Sequence, residues 1–410
     1  MCIWLYACDI SGSDTPQDNM EQLKTLPYLQ GTYKARENTS VTINRSKPGD
    51  QAYNLYNSAH AAQALLIDME GNELHRWERS FKEAFPAVPE ATEKWYDQGH
   101  WRNYWRRVHL LPNGDLLAIF EGNGLIKINR NSEVIWALND MFHHDLEVTA
   151  DGRIFVLNRR LARFDKINNE KPILEDLITV LDQDGRTLET YSIVKMLVDS
   201  EFAGLKKYIP KVGDCFHTNT LEVLDGRWAA TSPVFKAGNV LLSMRMFDAI
   251  MIADLEKRKI VWAQKPGIWA KQHQPTMVDN GHMLLFNNVL SEKETAGYDA
   301  SSVIEFDPVT MKVVWEYRGT ETVKFFSDHS GSNQRLLNGN TLITESAPGR
   351  AFEVTPQGEI VWEFVNPHRT GENMEHIATL LELVRIAPQD YRAFFKTLHP
   401  KGQVARRAGD

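Results

Sequence analysis

Three cysteines in 410 residues, Cys2, Cys8 and Cys215, are too few for a disulfide framework and stand at no metal-ligand spacing. No run of eighteen apolar residues occurs, which excludes a membrane-spanning helix. Lys and Arg gather in no dense stripe and the formal net charge is −8, so the electrostatic footprint of a nucleic-acid binder is missing and no nucleic-acid partner is expected. A Gly-rich phosphate cradle is also missing, and no cofactor is expected. What the chain does hold is apolar and aromatic: 42% hydrophobic residues, enough for a large core, with Trp, Tyr and Phe spread along its length as in sheet-rich folds.

The N-terminus offers two readings. Leu5-Tyr6-Ala7-Cys8 resembles the end of a lipoprotein signal, which would make Cys8 a lipid anchor and the polar stretch from Asp9 to Asn19 a tether. Alternatively, the apolar octet is a short end tucked against the body. The expected organisation is a tail over 1–20, a main body over 21–370, and a cap and tail over 371–410.

Length alone would allow two domains, so internal repetition has to decide. A unit of four short strands recurs, with Asn-Gly or Asp-Gly turns and an aromatic residue closing the last strand. One copy runs from Val108 through Asn113-Gly114 to Trp136. The next begins near His144, turns at Asp151-Gly152 and Asp184-Gly185, and closes at Tyr191. Further copies run from His217 to Trp262, from His273 to Trp315, and through Asn338-Gly339 to Trp362. A sixth is split: Ala64 to Trp77 supplies its last half, and residues 20–60 are the expected donor of the rest. Four-stranded repeats of this length are the signature of propeller blades. The fold expected is all-β: a six-bladed β-propeller with helical inserts at 79–105 and 195–214 and a short C-terminal helix or strand-then-helix cap. The closing Trp residues are expected to sit between neighbouring blades.

Aligning the copies on their first turn makes the polar residues informative. His144 lies eight residues before Gly152, His273 eight before Gly281, His217 nine before Gly226 and His329 ten before Gly339. The starts of the innermost strands crowd around a propeller axis, so these histidines are expected to share one pocket. His143 should point away from His144 by strand alternation. Asn219 falls on the same face as His217. Arg245 follows the second strand of its blade, where its planar fork suits sulfate, phosphate or carboxylate oxygens, unless it only pairs with Asp248 or Asp254. Arg159 and Arg160 hold a similar place one blade earlier. Three histidines could bind a metal, but no carboxylate or thiolate recurs beside them, and no metal site is expected. An imidazole nucleophile whose neighbours hold a transferable oxyanion group fits the set better.

At these residues the sequence resembles the bacterial arylsulfotransferase family. The landmarks are Phe142-His143-His144-Asp145, Asp214-Cys215-Phe216-His217-Thr218-Asn219, Ser243-Met244-Arg245, Gln272-His273, Gln334 to Ile343, and Gly349 to Pro367, in the family's order over roughly residues 45 to 390. The resemblance implies sulfuryl transfer from a phenolic sulfate ester to a phenol through a sulfated histidine, without a nucleotide donor. It would make His273 the nucleophile. His217, Asn219 and Arg245 would hold the sulfuryl oxygens, His144 would assist proton transfer, and His329 and Arg159 would line the substrate site. It also implies a periplasmic or membrane-anchored protein, against a cytoplasmic one if Met1 is the true start.

Some features depart from the family. Its exported members carry an N-terminal sandwich domain and a disulfide loop, for which this sequence has no room. Asn287 stands where the family has Asp and Ser302 where it has Arg, an acid and a base read as lost together. Two other functions stay open: a non-catalytic propeller that binds an anionic ligand or a protein, and a metal-dependent hydrolase or lyase. Oligomeric state is not legible.

Overall fold

The computed structural model describes residues 31, 33–45, 52–89, 103–289, 299–320 and 322–398. The tail over 1–20, with Cys2, Cys8 and the lipoprotein reading, lies outside them. The described strands form six antiparallel sheets in a ring, a six-bladed β-propeller, alongside one two-stranded hairpin at Arg369–Thr370 and His376–Ile377.

Blade 2 takes its strands from Arg107–Leu110 to Val134–Leu138, and blade 3 from Phe142–Val148 to Thr187–Ser192. Blade 4 spans Thr218–Val223 to Lys259–Gln264, and blade 5 spans His273–Met277 to Val313–Arg318. Blade 6 runs from Ser332–Arg335 to Ile360–Val365, with Ser40–Asn44 added as a fifth strand on its outer edge. Turn glycines sit between strands as their positive φ requires; Gly114, at φ 92°, also faces the Phe394 ring so closely that a Cβ would lie 2.5 Å from it.

Blade 1 closes the ring with pieces from both ends of the chain. Tyr53–Ser58 pairs with Gln63–Ile67, within the segment expected to donate, but the innermost strand is Leu380–Ile386. This corrects the boundary at 370: the strand read as part of a cap is a blade strand, and among the described residues Pro388–Tyr391 and the helix Arg392–Leu398 follow it. Its leucines at 380, 381 and 383 are buried because both faces of an inner strand are covered by neighbouring blades.

Closure is visible in the core. Six apolar clusters occupy the six junctions between consecutive blades, the last joining Leu342 and Trp362 of blade 6 to Leu65 and Leu380 of blade 1. The closing tryptophans bridge the same junctions. The indole N–H groups of Trp77, Trp136, Trp315 and Trp362 donate to the carbonyls of Gly114, Gln183, Pro356 and Met69 in the next blade, at 2.8–3.0 Å. Of the inserts, Phe81–Ala84 is a short helix with a capping box at Ser80 and Glu83. Ile193–Val198 is a second, its buried side chains in the core between blades 3 and 4, followed by a 3-10 segment over Glu201–Tyr208.

Candidate active site in the channel

The inner strands enter the channel through irregular backbone. His144 and His217 have φ of 53° and 49°, and the residues after His273 and His329, Gln274 and Ser330, have 48° and 54°. The strand registers of blades 3, 4 and 5 slip at these same points. Such bulges re-aim side chains next to functional sites, and here they turn consecutive residues toward the axis. The expectation for His143 is therefore corrected: its Nδ1 lies 3.0 Å from Nδ1 of His144, because the bulge breaks strand alternation.

His144, His217 and His273 converge from blades 3, 4 and 5. The rings of His144 and His217 meet edge to face with centroids 4.7 Å apart. His273 is 5% exposed, and burial, then the Arg245 charge, then Arg106 and His217, hold its imidazole well below the usual histidine range despite a hydrogen bond to Asn288. His144 is held down likewise, by burial first and then by His217, Arg106, His143 and Arg159. Both are neutral imidazoles at neutral pH.

Asn288 decides which nitrogen of His273 carries the proton. Its Nδ2 donates to the carbonyls of Ser327 and Ser330 at 2.8 and 2.7 Å, so its Oδ1 faces Nδ1 of His273 at 2.7 Å. An amide oxygen only accepts, so Nδ1 of His273 must donate and Nε2 keeps its lone pair. Gln272 fixes the approach of the strand, its Nε2 donating to Met244 and Ala249 carbonyls. Asn219 contributes one of its two N–H donors to the Gln272 carbonyl at 2.8 Å, so it positions the His273 strand as well as lining the channel.

His217 has its own orienting group. Asp214 accepts from the His217 backbone N–H at 2.9 Å and meets its Nδ1 at 2.6 Å. Burial would raise the Asp214 carboxyl, but His217 and Arg159 hold it well below the usual range. Asp176, close by, is pushed up to about 7 by burial and by the Asp214 charge, while its Oδ2 accepts from the Thr218 N–H.

The arginines divide into met and unmet charges. Arg159 is buried between Glu121 at 3.5 Å and Asp214 at 3.7 Å, a brace for the histidine cluster, and Arg160 turns outward to Glu175. Arg245 does not pair with Asp248 or Asp254, which are taken by Lys265, and by Lys236 and Lys257. Its guanidinium has no ion-pair partner among the described residues. His329 is buried beside Asp328, 2.6 Å away, in the loop that Asn288 anchors. One residue beyond the histidines lies a floor: Arg107 reaches from blade 2 to Asp145 of blade 3 at 2.7 Å, to Glu382 of blade 1, and to Gln274 of blade 5 at 3.5 Å.

Among the described residues one trio could hold a metal, Glu121, His143 and His144, with ligand atoms within 4.8 Å of one another. Glu121 is a carboxylate beside the histidines that blade alignment missed, since it ends a second strand. It already accepts from the His144 N–H and faces Arg159, so its charge is met without a cation. Asp214 lies within a family landmark, three residues from the histidine it orients; Asn288, next to the departing Asn287 and fifteen residues from His273, and Arg106 had no repeat position to reveal them.

The arylsulfotransferase (ASST) family pattern matches residues 107–367. The chain belongs to the arylsulfotransferase family. The match takes in blades 2 to 6 and every channel residue named above except Arg106 and Glu382. No curated protein matches this sequence. Among solved structures, a protein of unknown function from Bacteroides caccae is 11% identical with a TM-score of 0.52, covering 82% of this chain and 99% of that one. A streptogramin B lyase is 12% identical over 84% of this chain and 88% of its own, at a TM-score of 0.44. At such identity the first likeness speaks for the fold alone. Where this chain departs from the family, the two positions prove to be partners: Asn287 and Ser302 lie opposite on adjacent strands, amide to hydroxyl at 3.4 Å. No described helix is long and apolar enough to cross a membrane.

Proposed function

We propose that this arylsulfotransferase-family chain moves a sulfuryl group from an aryl sulfate ester to a phenol by a ping-pong route through a sulfated His273. The observation that supports the reading is the Asn288 bond, which leaves a neutral Nε2 with its lone pair free, while Arg245, whose charge acts on the same imidazole, has no ion-pair partner among the described residues. Nε2 attacks sulfur, an N–S bond forms, and the S–O bond to the aryl group breaks with its electron pair on the aryl oxygen. Arg245 and His217 hold the sulfuryl oxygens as charge builds on them, where fixed donors in a buried site act most strongly. In the second half the acceptor oxygen attacks sulfur, the N–S bond returns its pair to Nε2, and His144 takes the acceptor's proton and passes it to water.

The test is intact-mass analysis after mixing with 4-nitrophenyl sulfate. The expected outcome is a protein heavier by one sulfuryl group, lost in His273→Ala and discharged by added phenol. Absence of both adduct and nitrophenol release would overturn the reading.

A further inference from the structure

Arg106 leads into the inner strand of blade 2, fixed by its backbone N–H to the Ile119 carbonyl at 2.7 Å. Only 8% of it is exposed, yet among the described residues its guanidinium meets no carboxylate, carbonyl or hydroxyl. The other buried arginines differ. Arg107 meets Asp145 and Glu382, Arg159 meets Glu121 and Asp214, Arg350 meets Glu345 and Glu363, and Arg385 meets Glu353. A largely buried guanidinium with no hydrogen-bonded or ion-paired carboxylate among the described residues is costly, so Arg106 stands ready to meet negative charge brought by another species. Its charge acts on His144, His273 and Asp145, which puts the guanidinium at the histidine end of the channel.

Position in the ring says which negative charge that is. Blade 2 and blade 5 are three steps apart in a ring of six, so Arg106 and His273 face each other across the axis. Displacement at sulfur is in line, with the entering nitrogen and departing oxygen on opposite sides. With Nε2 arriving from blade 5, the aryl oxygen departs toward blade 2.

We propose that Arg106 is a catalytic residue that holds the aryl oxygen as it leaves as a phenolate and, in the second half, as the acceptor oxygen enters. The assignment rests on the sulfohistidine reading. The electron pair of the broken S–O bond stays on that oxygen, and its charge is met by the guanidinium rather than by a proton. His144, held as a neutral imidazole, lacks the acidic proton of an imidazolium and is a poor general acid at this stage. The substrate class follows: esters of phenols with poor leaving ability depend on Arg106 most.

The experiment compares wild type with Arg106→Gln and Arg106→Lys across 4-nitrophenyl, phenyl and 4-methoxyphenyl sulfate, measuring kcat/KM for adduct formation by quenched intact mass. Arg106→Gln is expected to lose about 10²–10³-fold with the methoxy ester and under about tenfold with the nitro ester, with Arg106→Lys between. A second readout needs no turnover: bound 4-nitrophenol should ionise at lower pH in wild type than in Arg106→Gln. Equal losses across the three esters, with unchanged nitrophenol ionisation, would overturn the assignment while leaving the sulfohistidine intact. Absence of adduct in wild type with every ester would overturn the sulfohistidine reading itself, and the assignment with it. If Arg106→Gln does not fold, Arg106→Lys carries the same two comparisons.

Discussion

Asn288 gives the sharpest handle on the nucleophile, because one side chain sets both the tautomer and the orientation of His273. Replacing it with Ala removes three hydrogen bonds and leaves the Ser327 and Ser330 carbonyls with only longer bonds from Ser301 and Ser327 hydroxyls, at 3.4 and 3.3 Å, a loss of about 1–3 kcal/mol. The freed imidazole then divides between tautomers and rotates. Loss of a bond contributing about 1–2 kcal/mol to the reactive arrangement slows sulfation by roughly 5- to 30-fold. Asn288→Asp asks a different question at nearly the same shape. A carboxylate against Nδ1 favours the imidazolium and should raise the His273 pKa. The wild-type imidazole stays neutral well below the usual histidine range, so its sulfation rate should hold level as the medium is acidified through that range. In Asn288→Asp the rate should begin to fall at a higher pH, as the nucleophile is protonated. The assay is the single-turnover burst of nitrophenolate across roughly pH 5 to 9, on variants whose cooperative melting is retained. A wild-type burst rate and pH profile in both variants would refute the argument that Asn288 sets the state of His273.

Two further outcomes are expected of the fold. Asp176 is held up to about 7 in the folded protein, against about 4 in an unfolded chain. Its contribution to stability is full below the unfolded value and is lost as pH rises through 7; Asp214, with its carboxyl depressed, runs the other way. Asp176→Asn should therefore lose less melting temperature than wild type between about pH 5 and pH 8, and an equal loss would contradict the buried pair. A chain ending at residue 378 lacks the inner strand of blade 1 and should lose cooperative unfolding, regained on adding a peptide of residues 379–398; unaltered unfolding would mean the ring does not need that strand.

The blades were legible because their signals are local. A Gly at positive φ and a Trp at a strand end each have a nearby cause, and both recur. The strand Leu380–Ile386 carries neither signal and is followed at once by helix, so its apolar run read as a cap; its partner Tyr53–Ser58 is more than 300 residues away in the chain. The histidines were legible by recurrence, but the positive φ at His144, His217, Gln274 and Ser330, with register slips in blades 3, 4 and 5, leaves no trace in the spacing. Pattern alone could not show those bulges, and so it misplaced His143. Asn288 acts within its own blade but from no recurring position, Asp214 stands between the repeats of blades 3 and 4, and Arg106 just ahead of blade 2, so repetition marked none of them.

Arg107 lies just beyond the histidines, with ties to three other blades. Its guanidinium ties four of the six blades together one residue past the histidines. A shift of one blade's histidine against the others has to stretch those ties. The repeats fold from local signals, but this cross-brace lets them keep a common register at the axis.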